Sequence, residues 1–260
     1  MPSVKTLIRF PTDTPARRLS FSTADLAIGL GFVAMIFLDK VLLEVGGQWI
    51  DWPEQAALGI RTVASLGLIA GTVFFIGKAF MAEGQGFAEA GLVPRRPIRD
   101  LLFTLFGLPA GVVLTYVTLT GVNLWATKLG FPSPEVNHGI LQQMQSTEDR
   151  RQLAALVLTV VTIGPLLEEL VFRGLLQTIL LELFGRAARW RVVLVAAAVF
   201  SLVHVGATTW HALPGLFVLG VVLGWLYERT GSLWPAILVH AGFNGLNVWV
   251  VLAKPEWVGA

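Results

Sequence analysis

IGPLLEELVFRG, residues 163–174, sets two adjacent glutamates and an arginine inside an otherwise apolar run. About 20 apolar residues cross a bilayer core, and an ionised group inside one is costly and usually functional. Glu169 and Arg173 are four residues apart, so on a helix they share a face and can pair. Glu168 sits one residue back, about 100° around the same helix. The arginine therefore does not automatically neutralise it.

The rest of the chain supports a membrane setting for this stretch. Of 260 residues, 55% are hydrophobic and 14% charged, and mean hydropathy is +0.70. A soluble domain carries about 25% charged residues. The expected fold class is all-α: a polytopic helical membrane bundle in one domain, with about seven transmembrane helices. Cysteine is absent, which excludes disulfides, thiolate metal sites and a cysteine nucleophile. The net charge of +2 reflects loop lysines and arginines, so no nucleic-acid partner is expected.

Hydropathy places spans at 25–45, 61–80, 100–125, from 152 onward, 190–206, 212–228 and 232–252. Asp39 and Lys40 interrupt the first. Residues 1–24 read as a cytoplasmic tail without the cleavage site of a signal peptide. Residues 25–252 form the membrane domain, with a catalytic core at 150–250, and 253–260 form a short C-terminal tail. Basic residues cluster before span one, between spans two and three, and between spans four and five; Arg229 lies between six and seven. By the positive-inside rule these regions face the cytoplasm, so the N-terminus is expected inside. Trp49, Trp52, Trp190, Trp210, Trp234 and Trp257 fall near span ends as interfacial anchors. After Pro132 and Pro134, GILQQMQSTEDR (139–150) has the pattern of a short surface helix.

Polar residues within the later spans also pair at helical spacing. Phe200 and His204 are four apart, as are His240 and Asn244. Each pair has a plain structural reading. Glu169–Arg173 can be an ion pair only, His204 a packed residue, and His240–Asn244 interhelical glue worth about 1 kcal/mol. The other two histidines, His138 and His211, fall in or near outer loops and read as solvated.

Together the polar residues suggest chemistry. Burial and a neighbouring imidazolium act on a carboxylate in opposite senses, and the balance can leave a working general base. Glu168 with one histidine could activate water, while the second histidine and an amide donate to an oxyanion. The same residues permit one zinc held by Glu168, His204 and His240, with water as fourth ligand. There is no HExxH zinc helix and no GxSxG elbow.

Three motifs now line up. EELVFR (168–173) fits EExxxR, FSLVH (200–204) fits FxxxH, and HAGFN (240–244) fits HxxxN. In this order, on separate spans, with RTGSLWPAILVH (229–240) ahead of the last, they resemble the CPBP family of intramembrane proteases, also called the Abi family. That family includes the type II CAAX prenyl endopeptidases and bacterial relatives linked to bacteriocin maturation or self-immunity. The resemblance covers roughly 150–250 and implies roles. Glu168 would be the base, assisted by His204; His240 and Asn244 would stabilise the oxyanion. Glu169 and Arg173 would hold the site's shape, and Phe200 would pack beneath His204. It implies a peptide or protein substrate, prenylated or not, beside membrane lipid; the short N-terminal tail and the seven-span plan look bacterial, so a bacterial cytoplasmic membrane is expected. The competing readings are a non-proteolytic regulator of a sensor protein and an ion-coupled transporter.

Depth constrains the geometry. At 1.5 Å per residue, Glu168 lies about 24 Å from the outer start of span four, and His204 about 21 Å from the inner start of span five. Upright spans would keep them apart. A long fourth helix reaching about 184, kinked or tilted at Gly164-Pro165, is therefore expected, with span five starting deeper than its charges suggest.

Overall fold

The computed structural model describes residues 19, 21–39, 42, 46, 50–82, 86–131 and 138–253. The N-terminal tail before 19, most of span one beyond 39, Pro132, Pro134, Trp49, Trp257 and the tail beyond 253 lie outside the described residues. Among the described residues the chain is helical, with only isolated bridges at His138–Thr208 and Val205–Thr208.

In chain order the helices are α1 (Thr23–Asp39), α2 (Glu54–Met81), α3 (Gly86–Glu89), α4 (Pro97–Lys128) and α5 (Gly139–Ser146). Then come α6 (Arg150–Phe184), α7 (Arg189–Leu202), α8 (Leu213–Thr230) and α9 (Trp234–Ala253). Five of these regions, in α2, α4, α6, α8 and α9, are long and apolar enough to cross a membrane; α1 is a shorter apolar helix. α7 has only 14 residues. The protein is thus a polytopic helical bundle, and the surface helix expected after span three is α5.

α1 and α2 form a hairpin. Lys78 Nζ donates to Asp25 Oδ2 at 2.8 Å, and Ser22 caps the start of α1 through reciprocal bonds with Asp25. This hairpin rests on the C-terminal half of α6, where Leu170–Gln177 are all buried. Gly174 is essential to that contact. A Cβ there would lie 2.6–3.0 Å from the Phe75 ring. Gly174→Ala is expected to destabilise the fold by about 1–3 kcal/mol through overpacking, measurable as a lower unfolding temperature in detergent. On the opposite side α4 packs on α8 and α9, with Gly107 and Gly111 letting the backbones approach Leu226, Leu219 and Val239.

α6 runs from Arg150 to Phe184 and carries Glu168 near its middle, as depth required. The proline is accommodated differently from a simple kink. Thr159–Ile163 and Leu170–Gln177 are π-helical turns inside the helix. The Gly164 N–H donates to Thr159 O, five residues back. In that register Val160 O should receive the N–H of residue 165, which is Pro165 and has none.

α7 is shorter than the span expected at 190–206. It ends at Leu202, and His204 lies in the turn that follows. Gly206, at φ +81°, takes the left-handed conformation that lets this turn reverse. Another correction concerns His211, expected to be solvated. It is 4% exposed, its Nε2 lies 3.0 Å from Phe131 O, and its ring stacks on Trp210 at 3.9 Å. Trp210 and the Phe131 backbone cover it.

Candidate active site

Glu168, Glu169 and Arg173 come from the middle of α6, His204 from the turn after α7, and His240 and Asn244 from α9. These sequence-predicted residues converge. Glu168 Oε2 is 3.9 Å from His204 Nε2 and 3.9 Å from His240 Nε2. The site is half-open at the carboxylate and closed behind it, with side-chain exposures of 25% for Glu168, 16% for His204 and 4% for His240.

Each imidazole is oriented through its other nitrogen. His204 Nδ1 lies 2.7 Å from Phe200 O. A carbonyl only accepts, so Nδ1 carries the proton. His240 Nδ1 lies 2.9 Å from Glu169 Oε1, and Glu169 is held as an acceptor by Arg173 Nη1 at 2.9 Å. Both rings in their neutral forms therefore turn an Nε2 lone pair toward Glu168. Three acceptors then face one another, and the arrangement calls for a donor between them: a water or a proton.

Behind this front sits a closed support. Arg173 also donates from Nη2 to Gly220 O at 3.1 Å and lies 4.6 Å above the centre of the Phe200 ring. Phe200 contacts both imidazoles, with ring centroids 4.9 Å from His204 and 5.6 Å from His240. Its expected place beneath His204 is thus only half of what it does. Glu169–Arg173 is a buried ion pair with a third member, His240.

Asn244 Nδ2 donates to Val160 O at 2.9 Å. This is the carbonyl that the π register and Pro165 leave without a helical donor. One Nδ2 proton repairs the helix, and the second is left for another acceptor. Asn244→Ala is expected to cost about 1–3 kcal/mol by stranding that acceptor. Pro165→Ala in the same background should recover part of it, because residue 165 then has an N–H. Unfolding of the two variants and their double checks this.

The three side chains do not form a preformed metal cage. Among the described residues no group of His, Cys, Asp or Glu is arranged to hold a metal ion. The 3.9 Å separations exceed the roughly 3.3–3.5 Å between ligand atoms around zinc, given bonds of about 2.0–2.2 Å. The sequence did not single out Gln177 and Glu228, both wholly buried. Glu228 stands beside Arg229 at a span end, where a charged residue reads as loop.

Fold and site together define an integral membrane protein with a glutamate–histidine centre inside its helices. Residues 150–246 match the family described as Type II CAAX prenyl endopeptidase Rce1-like. The membrane-embedded CAAX protease MroQ of Staphylococcus aureus (strain USA300) is 35% identical over 112 residues, covering 41% of this chain and 43% of that protein. The match therefore spans less than half the length of that relative. No solved structure gives a significant match.

Proposed function

We propose that the protein is an intramembrane endopeptidase that hydrolyses a peptide bond with a water activated by Glu168. The observation that carries this is the convergence of His204 Nε2 and His240 Nε2 on Glu168 Oε2, each at 3.9 Å. A water between the three can donate to the carboxylate and an imidazole while keeping a lone pair for attack. Glu168 takes a proton as the water oxygen bonds to the scissile carbonyl carbon. The carbonyl π electrons move to oxygen, giving a tetrahedral oxyanion. His240, entering the step as the imidazolium with a proton taken from solvent and held by Glu169, and the remaining Asn244 N–H are the donors for that charge. Glu168 then returns its proton to the leaving nitrogen as the C–N bond breaks, and the acid and amine products separate.

The substrate class that fits is a membrane-associated peptide or protein, CAAX-type or otherwise, and the family match and the CAAX-protease relative both favour it. A bacterial cytoplasmic membrane, with the N-terminus inside, suits the loop charges and the bacterial relative. The test is cleavage of prenylated and unprenylated peptides by the purified protein in nanodiscs, with and without a zinc chelator. Cleavage that survives the chelator supports the water mechanism, and loss restored by added zinc moves the chemistry to a metal held by Glu168, His204 and His240. No cleavage of any peptide, with a cellular phenotype that survives Glu168→Gln, would favour a regulatory protein instead.

A further inference from the structure

What fixes His204 at the depth of Glu168 is not evident from its own helix. α7 has 14 residues, a length of about 21 Å, against a bilayer core of about 30 Å. It is too short to be positioned by matching the membrane. Its seam with α8 is antiparallel and repeats every four residues. A Cβ on Gly220 would meet Ala197 at 3.0 Å, and one on Gly224 would meet Val193 at 3.2 Å. A slip of one turn, about 5.4 Å, that carried Ala197 to Gly224 would bring Ser201 to Gly220, so both glycines would still meet small residues.

The next rung of the same seam differs. Arg189, the first residue of α7, lies with Nε 3.5 Å from Oε2 of Glu228, and Glu228 is wholly buried. Gln177 of α6 aims that carboxylate. Its Nε2 donates to Glu228 Oε1 and to Gly224 O, each at 3.1 Å. A buried charge pair can exist in only one register, since a slipped one strands a carboxylate in apolar surroundings. Fixing register is the best-attested use of such pairs.

We infer that Glu228 is a positioning residue for the site: through Arg189 it sets the axial register of α7 and so delivers His204 to Glu168. It also draws an interfacial arginine inward, to 7% exposure. The effect of Glu228 on turnover rests on the endopeptidase reading; its effect on helix register does not.

The test uses Glu228→Gln, which keeps the shape and removes the charge. The chain has no cysteine, so spin labels can be placed at Leu194→Cys on α7 and Leu105→Cys on α4, both at exposed positions. In nanodiscs the label on α7 is expected to move by about 5 Å, one turn, along the helix axis relative to the label on α4, and the distance between labels to change by the component of that slip along the line joining them. On a cleavable peptide, kcat is expected to fall tenfold or more with KM within about twofold, since a displacement of about 1 Å can cost 10²-fold. The swap Glu228→Arg/Arg189→Glu should restore both readouts. An unchanged label distance in Glu228→Gln overturns the inference, whatever kcat does. So does a swap that fails to restore a shifted distance while the protein still folds. If the parent protein cleaves nothing, the endopeptidase reading fails alone and the label distance still decides the register.

Discussion

Glu168→Gln is expected to lower the turnover of peptide cleavage by about 10²–10⁴-fold, the range a positioned general base contributes. The unfolding temperature should stay at the parent value. The two expectations are separable because Glu168 is the exposed member of the cluster, at 25%. The buried support does not pass through it: Glu169, Arg173 and Gly220 O are joined to one another. Glutamine keeps the volume but offers an amide where a proton acceptor is needed. Single-turnover cleavage beside thermal unfolding checks both. A variant that cleaves at the parent rate would remove Glu168 from the chemistry.

Arg173→Met should do the opposite, unfolding the protein rather than only silencing it. Its side chain is 1% exposed and neutralises Glu169, which is wholly buried. Methionine fills much of the space but strands that carboxylate, and breaking a buried pair by removing one partner costs about 3–5 kcal/mol. Glu169→Gln added to Arg173→Met should recover most of the stability, because no charge is then left unpaired. It should not recover cleavage, since His240 Nδ1 loses the carboxylate that orients and stabilises its imidazolium. Unfolding in detergent and peptide turnover, measured on the two single variants and the double, give the comparison.

Much of this site was legible because charge is scarce in the spans. Glu168, Glu169 and Arg173 stood out against apolar neighbours, and helical spacing separated the paired glutamate from the other one. Depth arithmetic showed that upright spans could not join Glu168 to His204, and it called for a long fourth helix and a deeper fifth. α6 reaches Phe184. The π turns were not legible. They arise from which N–H reaches which carbonyl, and Gly164-Pro165 is equally compatible with a kink. Nor could spacing reveal that α7 stops before His204, because the Nδ1 bond to Phe200 O preserves a helix-like relation across the turn. Glu228 was hidden by its neighbour Arg229, since a charge at a span end is normally at the interface.

The two π turns in α6 also set its phase. Each puts more residues into a turn than the α-helix does, so every side chain beyond it is rotated from where an unbroken α-helix would carry it. Deleting one residue within Thr159–Ile163 would allow ordinary four-residue bonding up to the proline. Five residues at the π spacing turn through about as much as four at the α spacing, so the two halves of α6 would keep their phase. With the buried half, Leu170–Gln177, locked into the bundle, Val160 would keep its place beside Asn244 when the residue removed is Val161, Thr162 or Ile163. A single-residue deletion here should therefore be far better tolerated than one within the α-helical Gly164–Glu169, where the loss of a residue turns the two halves against each other by about 100°.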